Sequence, residues 1–426
     1  MRVLISGAGI AGPTLAFFLS RAGAHVTILE KADSLRCQGQ NIDISGTAVS
    51  VINKMGLLDE VRRYNTTEQG TSFVDENGKV YASFSLTKSV DTLTSDYEIL
   101  RGDLAYVLHS ATKDHPNIRY RFGTYVTQVL ENSQDRVRVK LNSGEEEEYD
   151  ILVAADGVWS SIRKQAFPED MVQVINRNNF AIYGTVPRLK EDSDHWCIHQ
   201  ALDGRAVGTR PDNHGTLRAF FSVMPTTQAK KDAWRSAVRS HNRRLQLDLL
   251  KSEFKDVGWI TPRLLQGMEE ADDFHFASIH QIRLSKWYKD RIICLGDTAY
   301  APTPFTGMGT SLAIDGGYLL AGHLSQLSPG QHPAIAFERY ESEFKPFVQK
   351  IQTLPWYVPG IVHPQYAASR WLFRQFISTV AYIMSIPWLV QMYGSRDERF
   401  VEGVVEKLDA PFPAFSAFEA AQTTAK

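Results

Sequence analysis

Glycines at positions 7, 9 and 12 form a GxGxxG run directly after the apolar stretch RVLIS and at the head of an apolar helical pattern. In that setting the three have separate tasks. Gly7 allows a tight turn, Gly9 lets the main chain approach a pyrophosphate, and Gly12 lets helix and strand pack closely. The helix that follows the turn, with Ala11 just ahead of it, would point its positive end toward the phosphates. Glu30 ends the next apolar run, AHVTILE, where a carboxylate can accept from adenosine ribose hydroxyls, with Lys31 beside it. Two later segments again set an acid next to a glycine after an apolar run: Asp156-Gly157 in ILVAADGVWSSIR, and Gly296-Asp297 in RIICLGDTAYAPTPFTGMG. The first of these pairs serves equally as a nucleotide contact or as a cap for the helix starting near Ser160. The chemistry is that of gripping a dinucleotide, and the first motif does not separate NAD from FAD.

Such turns need a parallel sheet beneath them, and the first 30 residues read as its opening: strand, glycine turn, a helix over Pro13 to Ala22, then a second strand. Residues 48–63 and 101–112 read as helical. FVDENGKVYASF reads as a hairpin about Asn77-Gly78, and 125–157 as three strands, with Glu145 to Glu148 on a solvated arm. The runs FAIYGTV, HWCIHQAL, RAVGTR and LRAFFSV imply an antiparallel sheet, followed by a charged helical stretch over 227–255. A strand over 291–297 leads through a Pro/Gly turn into a helix over about 309–327. Residues 330–395 read as helical and the chain after Leu408 as a loose tail.

The 426 residues carry 46 Lys plus Arg against 48 Asp plus Glu, with no basic block, which disfavours a nucleic-acid partner. Cys37, Cys197 and Cys294 are too few and too scattered for a disulfide framework or a CxxC site, so a reducing compartment is expected. MRVLISG shows no secretory pattern, and the expected location is the cytoplasm. Residues 375–395 are uncharged, but Gln375, Ser378, Thr379, Ser385 and Gln391 interrupt them and Pro387 would break a helix. They are expected to pack as helices on the protein or an oligomer partner, or to touch a membrane surface, rather than to span a bilayer. His195, Cys197 and His199 share a strand face, but at ~3.3 Å per residue the histidines stand ~13 Å apart, so no metal site is expected.

On these three ordered motifs the sequence resembles the single-component FAD monooxygenases related to para-hydroxybenzoate hydroxylase and the tetracycline-inactivating monooxygenases, over roughly residues 1–325. The resemblance implies an α/β fold: a Rossmann-like FAD-binding domain with an inserted, mainly antiparallel substrate sheet and C-terminal helices. The implied division is an FAD domain over 1–75, 96–170 and 275–330, a substrate domain over 76–95 and 171–274, a helical region over 331–410 and a tail over 411–426. It implies that Asp297 bonds the FAD ribityl chain, that Arg101 contacts the flavin, and that Pro304, Gly307, Met308, Gly309 and Thr310 place backbone N–H groups at the flavin pyrimidine edge. Asp156 and Gly157 would touch FAD and NAD(P)H. The chain departs from the family at Tyr300, Met308 and Ser311, where His, Gln and Asn are frequent.

The implied activity is NADPH- or NADH-driven, O₂-dependent hydroxylation of a hydrophobic aromatic or polycyclic small molecule through a flavin C4a-hydroperoxide, in secondary metabolism or xenobiotic inactivation. The chemistry is flavin-centred, so no catalytic triad is required. His199 and Arg210 are the substrate-contact candidates. Epoxidation, Baeyer–Villiger insertion, an isoprenoid saturase and a non-catalytic binding protein like the GDP-dissociation inhibitors are the rival readings.

Overall fold

The computed structural model describes residues 1–35, 39–85, 97–353, 360, 362–384, 386 and 409–419. Cys37 therefore lies outside the described residues. A six-stranded sheet runs in the order Tyr288–Lys289, Ile292–Cys294, Ile151–Ala154, Arg2–Ser6, His25–Leu29, Ile118–Arg121. All neighbours are parallel except the short hairpin at the Tyr288 edge. Central strands covered on both faces must be apolar throughout, which is why RVLIS, ILVA and IIC carry no alternation; Val3, Leu4, Ile5, Leu152 and Ile293 are sealed from solvent. The edge strand Ile118–Arg121 has arginine at two of four positions and gave no strand signal.

The helices Ala11–Arg21 and Gly309–Ser325 pack at near-backbone contact, since a Cβ on Gly317 would lie 3.1 Å from the Leu15 nitrogen. The helix expected over 48–63 is two, Thr47–Lys54 and Leu58–Arg63, and the stretch 227–255 is likewise two, Gln228–Ser240 and Arg243–Phe254. His241 takes a left-handed conformation at the second break.

The second sheet has seven strands in the order His275–Leu284, Val172–Pro187, Thr216–Val223, Arg205–Pro211, Trp196–Ala201, Gly70–Val74, Val80–Ser85. It is antiparallel except where Trp196–Ala201 meets Gly70–Val74. Helices Gln228–Ser240, Arg243–Phe254 and Thr261–Glu270 cover one face, burying Phe180, Ile182, Val207, Leu217 and Phe221 against Trp234, Phe254 and Met268. Sheet membership moves two expected boundaries. Gly70–Val74 and His275–Leu284, assigned above to the nucleotide domain, hydrogen-bond into this sheet, because strand pairing rather than chain order decides the domain. A two-stranded ribbon, Asn41–Asp43 with Glu98–Leu100, joins the two halves. The glutamate run lies on a three-stranded arm, where Glu145 and Glu147 pair with Arg121, Glu148 with Arg136 and Glu146 with Arg138.

The helix Ala367–Met384 packs Phe373 and Ile377 on Phe73, Ala82 and Ile198, while Trp371, Leu372, Phe376 and Tyr382 stay exposed. Ser385 and residues 387–395 of the uncharged stretch lie outside the described residues. Among the described residues, no helix is long and apolar enough to cross a membrane. The expectation of a loose tail is corrected over 409–419. Ala410, Phe415 and Phe418 are buried in the core of the first domain, and the Tyr318 hydroxyl donates to the Pro413 carbonyl at 2.7 Å. Residues 420–426 are outside the described residues.

Candidate active site

The register of the first sheet puts Leu29, Ser6, Ala154 and Cys294 in one row at the C-terminal ends of four adjacent parallel strands. Each strand then releases one motif: Glu30, the Gly7–Gly12 turn, Asp156-Gly157 and Gly296-Asp297. Three strand spacings of ~4.8 Å set the whole array within about 15 Å. The C-terminal edge of an open parallel sheet is where such folds hold ligands.

The glycine turn is shaped by contacts that a side chain would break. A Cβ on Gly7 would sit 2.3 Å from the Ala155 carbonyl oxygen, and one on Gly12 would sit 2.1 Å from the Gly7 carbonyl oxygen. A Cβ on Gly9, in contrast, would meet nothing within 4 Å. Open space lies over the turn where a pyrophosphate needs it. The helix from Ala11 has no side-chain cap and no acid in its first turn, so its N-terminal dipole is uncompensated. Glu30 is fixed by the backbone N–H groups of Ala8 (3.1 Å) and Ala32 (2.9 Å). Lys31 instead reaches over the Tyr125 ring at 5.4 Å, on the outer side of its neighbour.

The second and third motifs are tied to each other. Gly157 N–H donates to Thr298 Oγ1 at 2.9 Å, and buried Arg163 donates to the carbonyls of Thr298 (2.8 Å) and Val158 (2.6 Å). Asp156 Oδ2 accepts from Ser161 N–H at 3.1 Å, so the capping contact is present, while Ser160 Oγ accepts from Arg163 N–H. Gly296, at φ 64°, brings the third motif against the first, since a Cβ there would lie 3.3 Å from that of Ala11. Asp297 is exposed by area, yet burial pushes its carboxyl up from the ordinary aspartate value, against the pull of Arg101. Arg101 begins the helix Arg101–Ser110, and its N–H donates to the Gln40 carbonyl at 3.0 Å.

Beyond Asp297, the single turn Pro304–Thr306 passes through Gly307 and Met308 into the N-terminus of the helix Gly309–Ser325, which has no side-chain cap. Ser45 N–H donates to Ser311 Oγ at 3.1 Å and Ser45 Oγ to Met308 Sδ at 3.3 Å, so two of the family departures are tied to the same residue. Thr310 is half-buried beside them. Tyr300, the third departure, lies under this helix, its hydroxyl 2.8 Å from that of Tyr340.

The two substrate candidates lie otherwise than expected. His199 is 1% exposed, with Nδ1 3.1 Å from the Val74 carbonyl; strand alternation places it with Ala201, which belongs to the helix-covered core. Arg210 lies on the opposite face, but its guanidinium is held by Glu68 (2.8 Å) and Glu98 (2.6 Å) and stands 4.4 Å over the Trp196 ring. Both carboxyls are pushed up by burial, Glu68 to about 8, while Arg210 pulls them down. Ser45 was not singled out from the sequence; Thr298 and Arg163 stood inside quoted motifs without a role of their own, and Ser311 was noted only as a departure from the family.

Residues 1–354 match a family described as an FAD binding domain. The chain is 32% identical over 392 residues to Monooxygenase CTB7 of Cercospora beticola, covering 89% of this chain and 92% of that one. It is 32% identical over 377 residues to the FAD-dependent monooxygenase asL4 of Sarocladium schorii, covering 83% and 85%. The crystal structure of the tetracycline destructase Tet(55) superposes with a TM-score of 0.74 at 28% identity, over 89% of this chain and 95% of that one. Klebsiella pneumoniae HpxO complexed with FAD and uric acid shares the fold at 20% identity and a TM-score of 0.72, over 96% of each chain. Four adjacent strand ends, an open glycine turn and an extended match to flavoproteins lead to one conclusion: the chain belongs to the FAD-binding-domain family of flavin-dependent monooxygenases.

Proposed function

We propose that this FAD-dependent monooxygenase uses NADPH or NADH and O₂ to hydroxylate a hydrophobic aromatic or polycyclic small molecule. The observation that carries the reading is the row of strand ends, with free space over Gly9 and Asp297 exposed beyond the last strand. Gly7, Gly9, Gly12 and the helix beginning at Ala11 would hold the FAD pyrophosphate, Glu30 the adenosine ribose, and Asp297 with Arg101 the ribityl chain. The backbone N–H groups of Gly307 to Thr310, at an uncapped helix N-terminus, would face the pyrimidine edge. There they would stabilise the negative charge of the reduced ring, an interaction of about 0.3–2 kcal/mol from the dipole alone. Asp156-Gly157 would contribute to both FAD and NAD(P)H contacts, with Thr298 holding the turn in place. The bound flavin supplies hydride acceptance, O₂ activation and oxygen transfer. The protein's own part is to bind, to orient and to exclude bulk water from the cleft.

Purified protein should show a flavin spectrum that bleaches when NADPH or NADH is added without air. Product mass spectra under ¹⁸O₂ should then show one labelled oxygen on an aromatic carbon. A label in an epoxide or a lactone would redirect the assignment to epoxidation or Baeyer–Villiger insertion. A colourless protein that FAD cannot reconstitute would overturn it.

A further inference from the structure

Arg101 is exposed, yet it stands between two buried acids: Glu98 just before it is 2% exposed and Asp103 just after it 5%. Both are gripped from one place in the other half of the molecule, the tip of the hairpin that joins the strands Arg205–Pro211 and Thr216–Val223. On one flank Arg210 Nη2 lies 2.6 Å from Glu98 Oε1, and Asn41, in the ribbon with Glu98, donates to the Pro211 carbonyl at 3.3 Å. On the other flank Asp103 Oδ2 accepts from Asn213 Nδ2 at 3.1 Å and lies 3.0 Å from His214 Nε2. The main chain leaves little play between these grips. Arg101 N–H is tied to the Gln40 carbonyl, and a Cβ on Gly39 would lie 3.0 Å from that of Arg101.

The first grip is built around a shared proton. Arg210 Nη2 serves Glu98 Oε1 and, at 3.1 Å, Glu68 Oε1, while Nε donates to the other Glu68 oxygen, so two buried carboxyls converge on one nitrogen. Asp43 stands opposite Glu98 in the ribbon register, and Asn41 Nδ2 donates to Glu98 Oε1 at 2.7 Å. Among the described residues, one guanidinium thus faces three acids. Ionising both buried carboxyls sets like charges against each other and works against the closed cluster.

We propose that Arg210 and His214 are positioning residues for the flavin: through Glu98 and Asp103 this hairpin tip holds Arg101 toward the cofactor from both flanks, so that FAD affinity depends on a charge cluster in the other half of the chain. The assignment rests on the placement of Arg101 at the cofactor given above and deepens it. Arg205, on the same strand as Arg210, provides the comparison. Its guanidinium pairs with Asp256 at 2.6 and 2.9 Å, a contact within the substrate half that involves neither flank of Arg101.

The test is FAD release from the purified holoprotein on serial dilution, read as recovery of flavin fluorescence from pH 6 to 9, with the melting temperature at saturating FAD recorded for each variant. Arg210→Met should raise the FAD dissociation constant by about 2- to 30-fold, the span of couplings carried through intervening residues. Arg210→Lys keeps the charge without the fork and should restore part of the loss. His214→Ala should raise the constant roughly 2- to 10-fold, the range of one hydrogen bond. Native affinity should weaken as pH rises toward 9 and the pair gives up its proton, and Glu68→Gln should flatten that profile. Arg205→Met should lower the melting temperature and leave FAD affinity unchanged. Native affinity in Arg210→Met, an equal loss in Arg205→Met, or parallel pH profiles for the native protein and Glu68→Gln would each sink the assignment. Should the methionine variant at 210 fail to fold, Arg210→Lys and His214→Ala take its place, and native affinity in both is the refuting result. The two readings fail separately. A chain that takes up no FAD refutes the cofactor reading and this assignment together, whereas a flavin-loaded protein indifferent to these substitutions refutes the assignment alone.

Discussion

Gly9 and Gly12 lie three residues apart and should respond to the same substitution in opposite ways. In Gly12→Ala the new methyl would sit 2.1 Å from the Gly7 carbonyl oxygen, well inside the ~3.5 Å of a relaxed contact. The backbone must shift, at a cost of about 1–3 kcal/mol or more in the flavin-free protein. In Gly9→Ala the methyl meets no atom within 4 Å, so flavin-free stability should be unchanged or higher by up to about 1 kcal/mol, as expected when a glycine gains a side chain without strain. The space it fills is that proposed for the pyrophosphate. Losing one charge-assisted hydrogen bond there is worth about 1.5–3 kcal/mol, or roughly 10- to 150-fold in FAD affinity. Urea unfolding of the apoprotein gives the first quantity and FAD fluorescence quenching the second. Native FAD affinity in Gly9→Ala, or apoprotein destabilisation equal to that of Gly12→Ala, would refute the placement of the cofactor over this turn.

The remaining predictions concern stability. Because the folded chain holds a proton on Glu68 up to about pH 8, while an unfolded chain releases it near ~4.3, the stability this group contributes is complete below that lower value and is lost as pH rises toward 8. Melting temperatures across pH 5 to 9 should therefore decline less steeply in Glu68→Gln than in the native protein; parallel profiles would count against a buried protonated Glu68. Tyr300→Phe strands the Tyr340 hydroxyl in a dry core and should cost about 1–3 kcal/mol in urea unfolding. Adding Tyr340→Phe should cost less than the sum of the singles, and strict additivity would argue against the bond. Phe415→Ala removes a ring that is 2% exposed and seated beside Gly322. It should cost about 3–5 kcal/mol by thermal unfolding, whereas a free tail would give no change.

The strand ends were legible because the backbone itself dictates their residues. Gly7 and Gly12 lie so close to carbonyl oxygens that no side chain fits, and such positions leave a mark in any single chain. Thr298 left none. Its hydroxyl matters only because Ile151–Ala154 and Ile292–Cys294 pair side by side, which is a property of register across about 140 residues. His199 was misread for the related reason that strand parity is undefined until one residue of the strand is assigned to a face. The packed segment near the C-terminus did carry a signal, aromatic residues at 412, 415 and 418, but the surrounding alanines and prolines looked like a solvated tail.

The excursion from Val172 to Leu284 leaves and re-enters the cofactor half at one spot, where Val172 is paired with Leu284 and Ser285 N–H donates to the Met171 carbonyl at 2.9 Å. Adjacent end points make that stretch a cassette. A graft with similarly close ends could replace most of the seven-stranded sheet and its helices without re-threading the parallel sheet. The hairpin Gly70–Ser85, arriving from elsewhere in the chain, is the part such an exchange would have to accommodate.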